Sequence, residues 1–254
     1  MTQLEAVGSS ACGTGGRISF TGAAESDFDG CQYYDDPGNY IIDHFNIDIF
    51  AEFPDVLSSP LISTRSAWDM RTVYFHYIPQ DDVLQVGIRC YGICGDADGD
   101  GNAGGTSLGL QSNGGIDLPE LAQSEAIVLL IDPINDGTSQ FIPTILIGKP
   151  MRLMDPSIFD FGIYDFSSGA LEINGRRSYL SAGPKLNGPI LTDYVDPMSR
   201  QNAVEFSIVG FSMLPGIRPV NGVISFSFSA HSGSAQDGDI GTDFIPELTA
   251  STGN

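Results

Sequence analysis

The feature that most constrains the fold is an alternation of apolar and polar residues in short segments. Between residues 224 and 230, apolar Ile224, Phe226, Phe228 and Ala230 are separated by serines. Successive side chains of a β-strand point to opposite faces, whereas a helix would scatter this pattern around its axis. The segment is therefore predicted to be a half-buried strand. The same alternation occurs at Phe45, Ile47 and Ile49; at Val73, Phe75 and Tyr77; and at Leu84, Val86, Ile88 and Cys90.

Two other segments are continuously apolar, at residues 126–131 and 144–147, which is typical of central strands covered on both faces. The 31 glycines and 15 prolines mark turns between such segments, and helical periodicity is almost absent. We therefore expect an all-β protein, an antiparallel β-sandwich of the jelly-roll type, with long loops near residues 92–120 and 148–200.

The chain is expected to contain one sandwich domain with two flanking segments. Residues 1–40 form a Gly/Ser/Asp-rich N-terminal extension that we expect to need an anchor outside itself, residues 41–248 form the domain, and residues 249–254 form a tail. Residues 1–5 lack the basic and apolar regions of a signal peptide. If the protein is secreted, we expect the numbering to start after processing or within a longer polypeptide.

The net charge of −21 argues against partners that present phosphate backbones or anionic lipid surfaces. No apolar run approaches the roughly 20 residues of a membrane-spanning helix. Nucleic-acid binding and membrane insertion are therefore not expected.

The four cysteines, Cys12, Cys31, Cys90 and Cys94, allow three disulfide connectivities. We favour Cys12–Cys31 with Cys90–Cys94, a pairing that requires the chain to bend between Cys90 and Cys94. Free buried thiols are the alternative, whereas zinc is disfavoured because there is no C-x2-C pair and the histidines are scattered. Disulfides would indicate an oxidising, extracellular or cell-surface location.

Residues 96–102 have the D-x-D-x-D-G pattern of calcium loops, with Asp96, Asp98, Asp100 and the Asn102 carbonyl as ligands. Calcium needs six to eight converging oxygens, and packed carboxylates repel one another without a cation. Ser107 replaces the bidentate Glu of an EF-hand, so another residue must complete the site. The candidates are Asp117, Glu120 and Asp132. The alternative is a solvated Asp-Gly turn without an ion, which is also how we interpret Asp237, Asp239 and Asp243, and Asp132 with Asp136.

Catalytic patterns are absent from the sequence: it has no nucleophile elbow, P-loop, dinucleotide fingerprint or H-E-x-x-H motif. His44, His76 and His231, the last placed at the start of a 232–234 turn, are interpreted as structural residues. Tyr33 and Tyr34 are expected to pack in the core or anchor a loop rather than stack on a sugar. We do not expect an enzyme.

Several strand segments resemble the carbohydrate-binding-module family 9 and DOMON-like sandwiches. The segments are residues 69–75, residues 82–88 with D-x-L-x-V character, the acidic-apolar run 124–132, and the V-E-F-x-I run 204–208. The resemblance spans roughly residues 69–245 and implies a jelly-roll-like sandwich and glycan binding.

These features together predict a non-catalytic extracellular calcium-binding β-sandwich that acts as a structural or adhesive surface protein and assembles with copies of itself. An N-terminal extension that adds a strand to a neighbouring copy is one means of assembly. The alternative is a carbohydrate-binding module with a glycan ligand.

Overall fold

The computed structural model describes residues 12, 16–35, 70–90, 125–133, 141–149, 161–166, 171–173, 176–178, 183–188, 190–195, 203–234 and 243–252. These residues form two five-stranded antiparallel sheets and one separate two-stranded ladder. The first sheet contains, in spatial order, β1 (Gln32–Asp35), β2 (Met70–Ile78), β3 (Val83–Cys90), β10 (Ala203–Val209) and β9 (Ile190–Val195). A single helical turn, α1 (Ala24–Asp27), precedes β1.

The second sheet runs, in spatial order, β12 (Asp243–Ser251), β11 (Ser225–Ser234), β4 (Glu125–Asp132), β5 (Ile145–Lys149) and β6 (Gly162–Asp165). The ladder pairs β7 (Leu171–Ile173) with β8 (Arg176–Ser178), and a 3₁₀ turn at Phe211–Met213 follows β10. The architecture is a β-sandwich, as the alternating apolar segments predicted.

The main core lies between the two sheets, where the apolar residues of each alternating strand meet. Phe75 of β2 contacts Phe226 and Phe228 of β11 edge to face, with ring centroids 5.6 and 4.8 Å apart. Tyr34 of β1 also meets the Phe228 ring, at 5.0 Å. Such aromatic contacts add to the stabilisation from apolar burial, so Phe228 is a central residue of the core.

Strands β4 and β5 are buried on both faces, as their continuous apolar sequences predicted. Ile127 and Leu129 belong to the core between the sheets, while Val128 and Leu130, on the opposite face, are also fully buried. The second sheet is therefore covered on its outer side as well.

The structure differs from the sequence-based expectation between residues 148 and 200, because four short strands, β6 to β9, lie in the predicted loop. These strands have three to six residues, too few for a two-residue periodicity to stand out from chance. The expected boundary between residues 248 and 249 falls inside β12, which continues to Ser251. At the other end, β1 lies within the predicted extension and pairs with β2 of the same chain.

No helix in the described part of the chain is both long and apolar enough to cross a bilayer. The predicted strand around Phe45, Ile47 and Ile49 lies outside the described residues.

Candidate functional site

The outer face of the first sheet carries a compact group of polar residues, which the strand register brings together in rows. His76 of β2 lies opposite Gln85 of β3, and Gln85 lies opposite Ser207 of β10. In the next row, Gly87 separates Tyr74 from Glu205. These side chains share one face because their neighbours in sequence, such as Phe75, Val86 and Phe206, point into the core.

A segment that we call the N-terminal cover, residues 16–31 together with Cys12, lies on this polar face and buries it. Gln85 makes two hydrogen bonds to the backbone of Ile18: its Oε1 accepts from the N–H at 2.7 Å, and its Nε2 donates to the carbonyl at 3.0 Å. Glu205 Oε2 accepts from the N–H of Gly22 at 2.5 Å. The sheet therefore holds the cover through main-chain atoms, and the Gln85 amide and Oε2 of Glu205 gain the hydrogen-bond partners that burial demands.

Apolar contacts complete the docking of the cover above Gly87. A Cβ atom at Gly87 would lie 2.8 Å from Cε2 of Phe28 and 3.0 Å from Cβ of Ala24. The Phe28 ring also stacks on Phe20 at 5.9 Å and contacts Tyr74 at 5.6 Å. Glycine is thus favoured at residue 87 because the cover occupies the space in which a side chain would lie.

Glu205 is the buried titratable group of this interface. Burial and, to a smaller extent, the nearby Asp27 carboxylate raise its pKa to about 8, against the lowering effect of the hydrogen bond from Gly22. Its second oxygen, Oε1, is buried and has no hydrogen-bond partner among the described residues. Asp27 itself accepts from the N–H and hydroxyl of Thr21, at 2.6 and 2.9 Å. At neutral pH, Glu205 is therefore a protonated carboxyl group beneath the cover.

Cys12, Cys31 and His76 form a cluster at the His76 end of the polar face. Cys12 and Cys31 are bonded as the favoured connectivity predicted, with their Cα atoms 4.2 Å apart. Nδ1 of His76 lies 2.8 Å from Sγ of Cys12, and Nε2 lies 3.2 Å from the Gly16 carbonyl oxygen. Burial lowers the pKa of His76, so the imidazole is neutral at physiological pH.

Charged side chains line the rim of the interface. Arg89 of β3 pairs with Glu25 of the cover at 2.7 Å, and Arg17 of the cover pairs with Asp81 of the β2–β3 turn at 3.5 Å. The Arg17–Asp81 pair is about half exposed, so it contributes little to stability.

The predicted calcium ligands Asp96, Asp98, Asp100 and Asn102 lie outside the described residues, as do Cys94 and the candidate closing ligands Asp117 and Glu120. Cys90 is fully buried and is disulfide-bonded. Asp132, the third candidate, is buried at the end of β4, where its Oδ2 accepts from the N–H of Ile142 at 2.8 Å.

His231 was predicted to begin a turn, and this prediction is wrong. It lies within β11, is buried, and its Nε2 is 2.8 Å from the Ser229 hydroxyl. Because strand alternation places residues 229 and 231 on one face, the pair is a structural contact of neighbouring side chains. Tyr34 packs in the core and donates its hydroxyl to the Thr249 carbonyl at 2.9 Å, while Tyr33 packs on Tyr74. His44 lies outside the described residues.

The sequence-based reasoning missed Gln85 and Glu205, the two residues that hold the cover. Each alternates with apolar neighbours, a pattern that a half-buried strand shows whether its polar face is solvated or covered. The signal in the sequence was Gly87, two residues after Gln85, since a glycine within a strand often marks a close approach of other atoms.

No protein-family model matches this sequence, and comparisons with curated proteins and with solved structures also gave no match. The resemblance to carbohydrate-binding-module family 9 and DOMON-like sandwiches therefore rests on the strand motifs alone.

Proposed function

We propose that this chain is a non-catalytic extracellular β-sandwich that serves as a structural or adhesive surface protein, binds calcium and assembles with copies of itself. The observation that carries the proposal is the disulfide-tied cover. The imidazole, amide and carboxyl side chains of the outer face hydrogen-bond a segment of the same chain rather than a ligand. They belong to His76, Gln85 and Glu205.

The Cys12–Cys31 bond supports an extracellular location, because disulfides persist in oxidising compartments and are rare in reducing ones. A cover fixed in this way shields the outer face from solvent and from substrates, which favours a structural role over a catalytic one. The same geometry disfavours the carbohydrate-binding alternative at this face, since Tyr74, its central aromatic residue, is buried beneath Phe28.

Calcium enters the proposal through the sequence of residues 96–102, whose carboxylates at alternate positions and glycine suit an oxygen-ligated cation. The ion would order this loop. A second copy would add a strand at the edge strands of the two sheets. Assembly would then depend on calcium.

The test is the molar mass of the full chain in solution, measured by light scattering in excess calcium and again in chelator. We expect multiples of 27.0 kDa in calcium and a smaller species in chelator. Asp98→Ala should behave in calcium as the wild type does in chelator. Asp29→Ala, a change of the same type at an exposed residue of the cover, is the control and should behave as the wild type. A mass that stays monomeric throughout contradicts the proposal.

The location is tested separately by alkylating thiols in the protein as taken from its source, before any reductant is added. We expect no cysteine to be labelled without reduction and all four to be labelled after reduction under denaturing conditions. Labelling of Cys12 and Cys31 in the untreated protein would contradict an oxidising location.

A further inference from the structure

We propose that the reduced protein binds a thiophilic divalent cation of the zinc class through Cys12, Cys31 and His76. The two sulfurs and one imidazole nitrogen all lie within 4.8 Å of one another. Two thiolates and a neutral imidazole form a ligand set that zinc prefers, and a fourth position filled by water would complete a tetrahedron. This site is separate from the proposed calcium loop, and the inference does not depend on the proposed function.

The orientation of His76 is an independent observation that points to a ligand. Its Nε2 faces the Gly16 carbonyl oxygen at 3.2 Å, and a carbonyl can only accept, so Nε2 carries the hydrogen. The lone pair of the neutral ring is then on Nδ1, which faces Cys12 Sγ at 2.8 Å. A disulfide sulfur has no hydrogen to donate, so the lone pair faces an atom that cannot satisfy it.

The same orientation is the one that metal-bound histidines adopt. Such residues usually donate their second ring N–H to a carboxylate or a backbone carbonyl, which fixes the tautomer and directs the other nitrogen at the ion. Here Gly16 would supply that carbonyl and the cover would hold the ring in place. The sequence did not indicate this site because 19 and then 45 residues separate its members, whereas zinc motifs are recognised by short spacings.

The zinc ion and the Cys12–Cys31 disulfide cannot be present together, because zinc binds the two cysteines as thiolates. A phosphine reductant supplies the two electrons that break the S–S bond; it takes oxygen from water and leaves as the phosphine oxide, while each sulfur gains a proton. Zinc binding then releases both thiol protons to solvent. The sulfurs must separate from about 2 Å to about 3.8 Å, the spacing of two thiolates around tetrahedral zinc. Cys12 is half-buried, so it is the one that moves and that admits water to the fourth position.

The experiment uses the full chain, reduced with a phosphine, in excess calcium to saturate the acidic loop, and titrated with Co²⁺ as a spectroscopic substitute for zinc. We expect thiolate-to-cobalt charge-transfer bands and the intense visible absorption of tetrahedral cobalt, both removed by one equivalent of Zn²⁺ per chain. The oxidised protein should show neither band. Failure to see thiolate bands in the reduced wild type would overturn the proposal.

Two variants make the test specific. Cys12→Ser/Cys31→Ser retains Cys90 and Cys94, so any bands that it still shows report those residues; bands as strong as in the wild type would overturn the proposal. His76→Gln removes a direct ligand, so it should keep charge-transfer bands but weaken cobalt binding by more than about 10-fold, a loss that even an outer-shell partner can cause. Unchanged affinity would exclude the imidazole as a ligand. Circular dichroism of each variant verifies folding, and X-ray absorption of the zinc-loaded wild type should show two sulfur neighbours and one nitrogen, which requires no variant.

Discussion

The two faces of the first sheet are buried by different means. The inner face meets the second sheet through apolar and aromatic side chains, with Phe75 and Phe228 at the centre. The outer face meets the N-terminal cover through a protonated carboxyl group, a few directed hydrogen bonds and the Phe28 ring, and a disulfide within the cover joins its two ends. Apolar packing responds little to pH or redox conditions, whereas on the outer face the Glu205 contact depends on pH and the disulfide that closes the cover depends on redox conditions. We therefore expect the cover to loosen under conditions in which the sandwich stays folded.

The largest effect is expected from Phe228→Ala, which breaks the inner face. Phe228 is fully buried between Tyr34 and Phe75, so truncation should lower the free energy of unfolding by about 3–5 kcal/mol. Denaturant unfolding followed by fluorescence measures the loss. Met213→Ala removes an apolar side chain that is 66% exposed and should change stability by no more than about 0.5 kcal/mol. Equal losses in the two variants would contradict the assignment of Phe228 to the core.

Removal of the Cys12–Cys31 bond should have the next largest effect. The bridge closes a loop across 19 residues, which corresponds to about 3 kcal/mol in the chain-entropy account. Cys12→Ser/Cys31→Ser should lose this amount, and amide hydrogens of the cover should exchange faster while those of β4 stay protected. If β4 loses protection to the same extent as the cover, the two faces are not independent.

Stability should fall with rising pH because of Glu205. Its pKa is about 8 in the folded protein and about 4.3 in an unfolded chain, so between these values only the folded state holds the proton. The contribution of Glu205 to the free energy of unfolding is complete below the lower pKa and is lost as pH rises, by about 1.4 kcal/mol per pH unit. Because this slope decreases as pH approaches the higher pKa, the loss between pH 6 and 8 is about 2 kcal/mol.

Glu205→Gln keeps a neutral side chain and removes the titration, so its unfolding free energy should vary less between pH 6 and 8 than that of the wild type. Glu25→Gln, at an exposed position of the cover, is the matched control and should retain the wild-type slope. A wild-type slope in Glu205→Gln would assign the pH dependence to another group.

The smallest effect is expected from Gly87→Ala, which separates docking of the cover from folding of the sheet. The added methyl group would meet the Phe28 ring, so the cover should shift at a cost of about 1 kcal/mol. Limited proteolysis within residues 16–31 should become faster. Gly16→Ala places a methyl group where nothing lies within 4 Å and should leave the proteolysis rate unchanged.

The inner face could be predicted from the sequence and the outer face could not. Alternation around Phe226 and Phe228 and the continuous run at 126–131 identified strands β11 and β4 because apolar burial leaves a periodic signal. Glu205 and Gln85 occupy the alternate, polar positions of their strands, which face water in most sandwiches. Only the position of the cover shows that they are buried, and this depends on contacts such as Glu205 with Gly22, which are 183 residues apart.

Gln85 and Glu205 bind Ile18 and Gly22 through peptide groups that every amino acid except proline carries in full. Side chains in this stretch that point outward, such as those of the exposed Arg17 and Ser19, are free of that requirement. This part of the cover is thus suited to protein engineering. Its outward-facing residues can be substituted to display an epitope or a label, because the sheet beneath binds only the main chain.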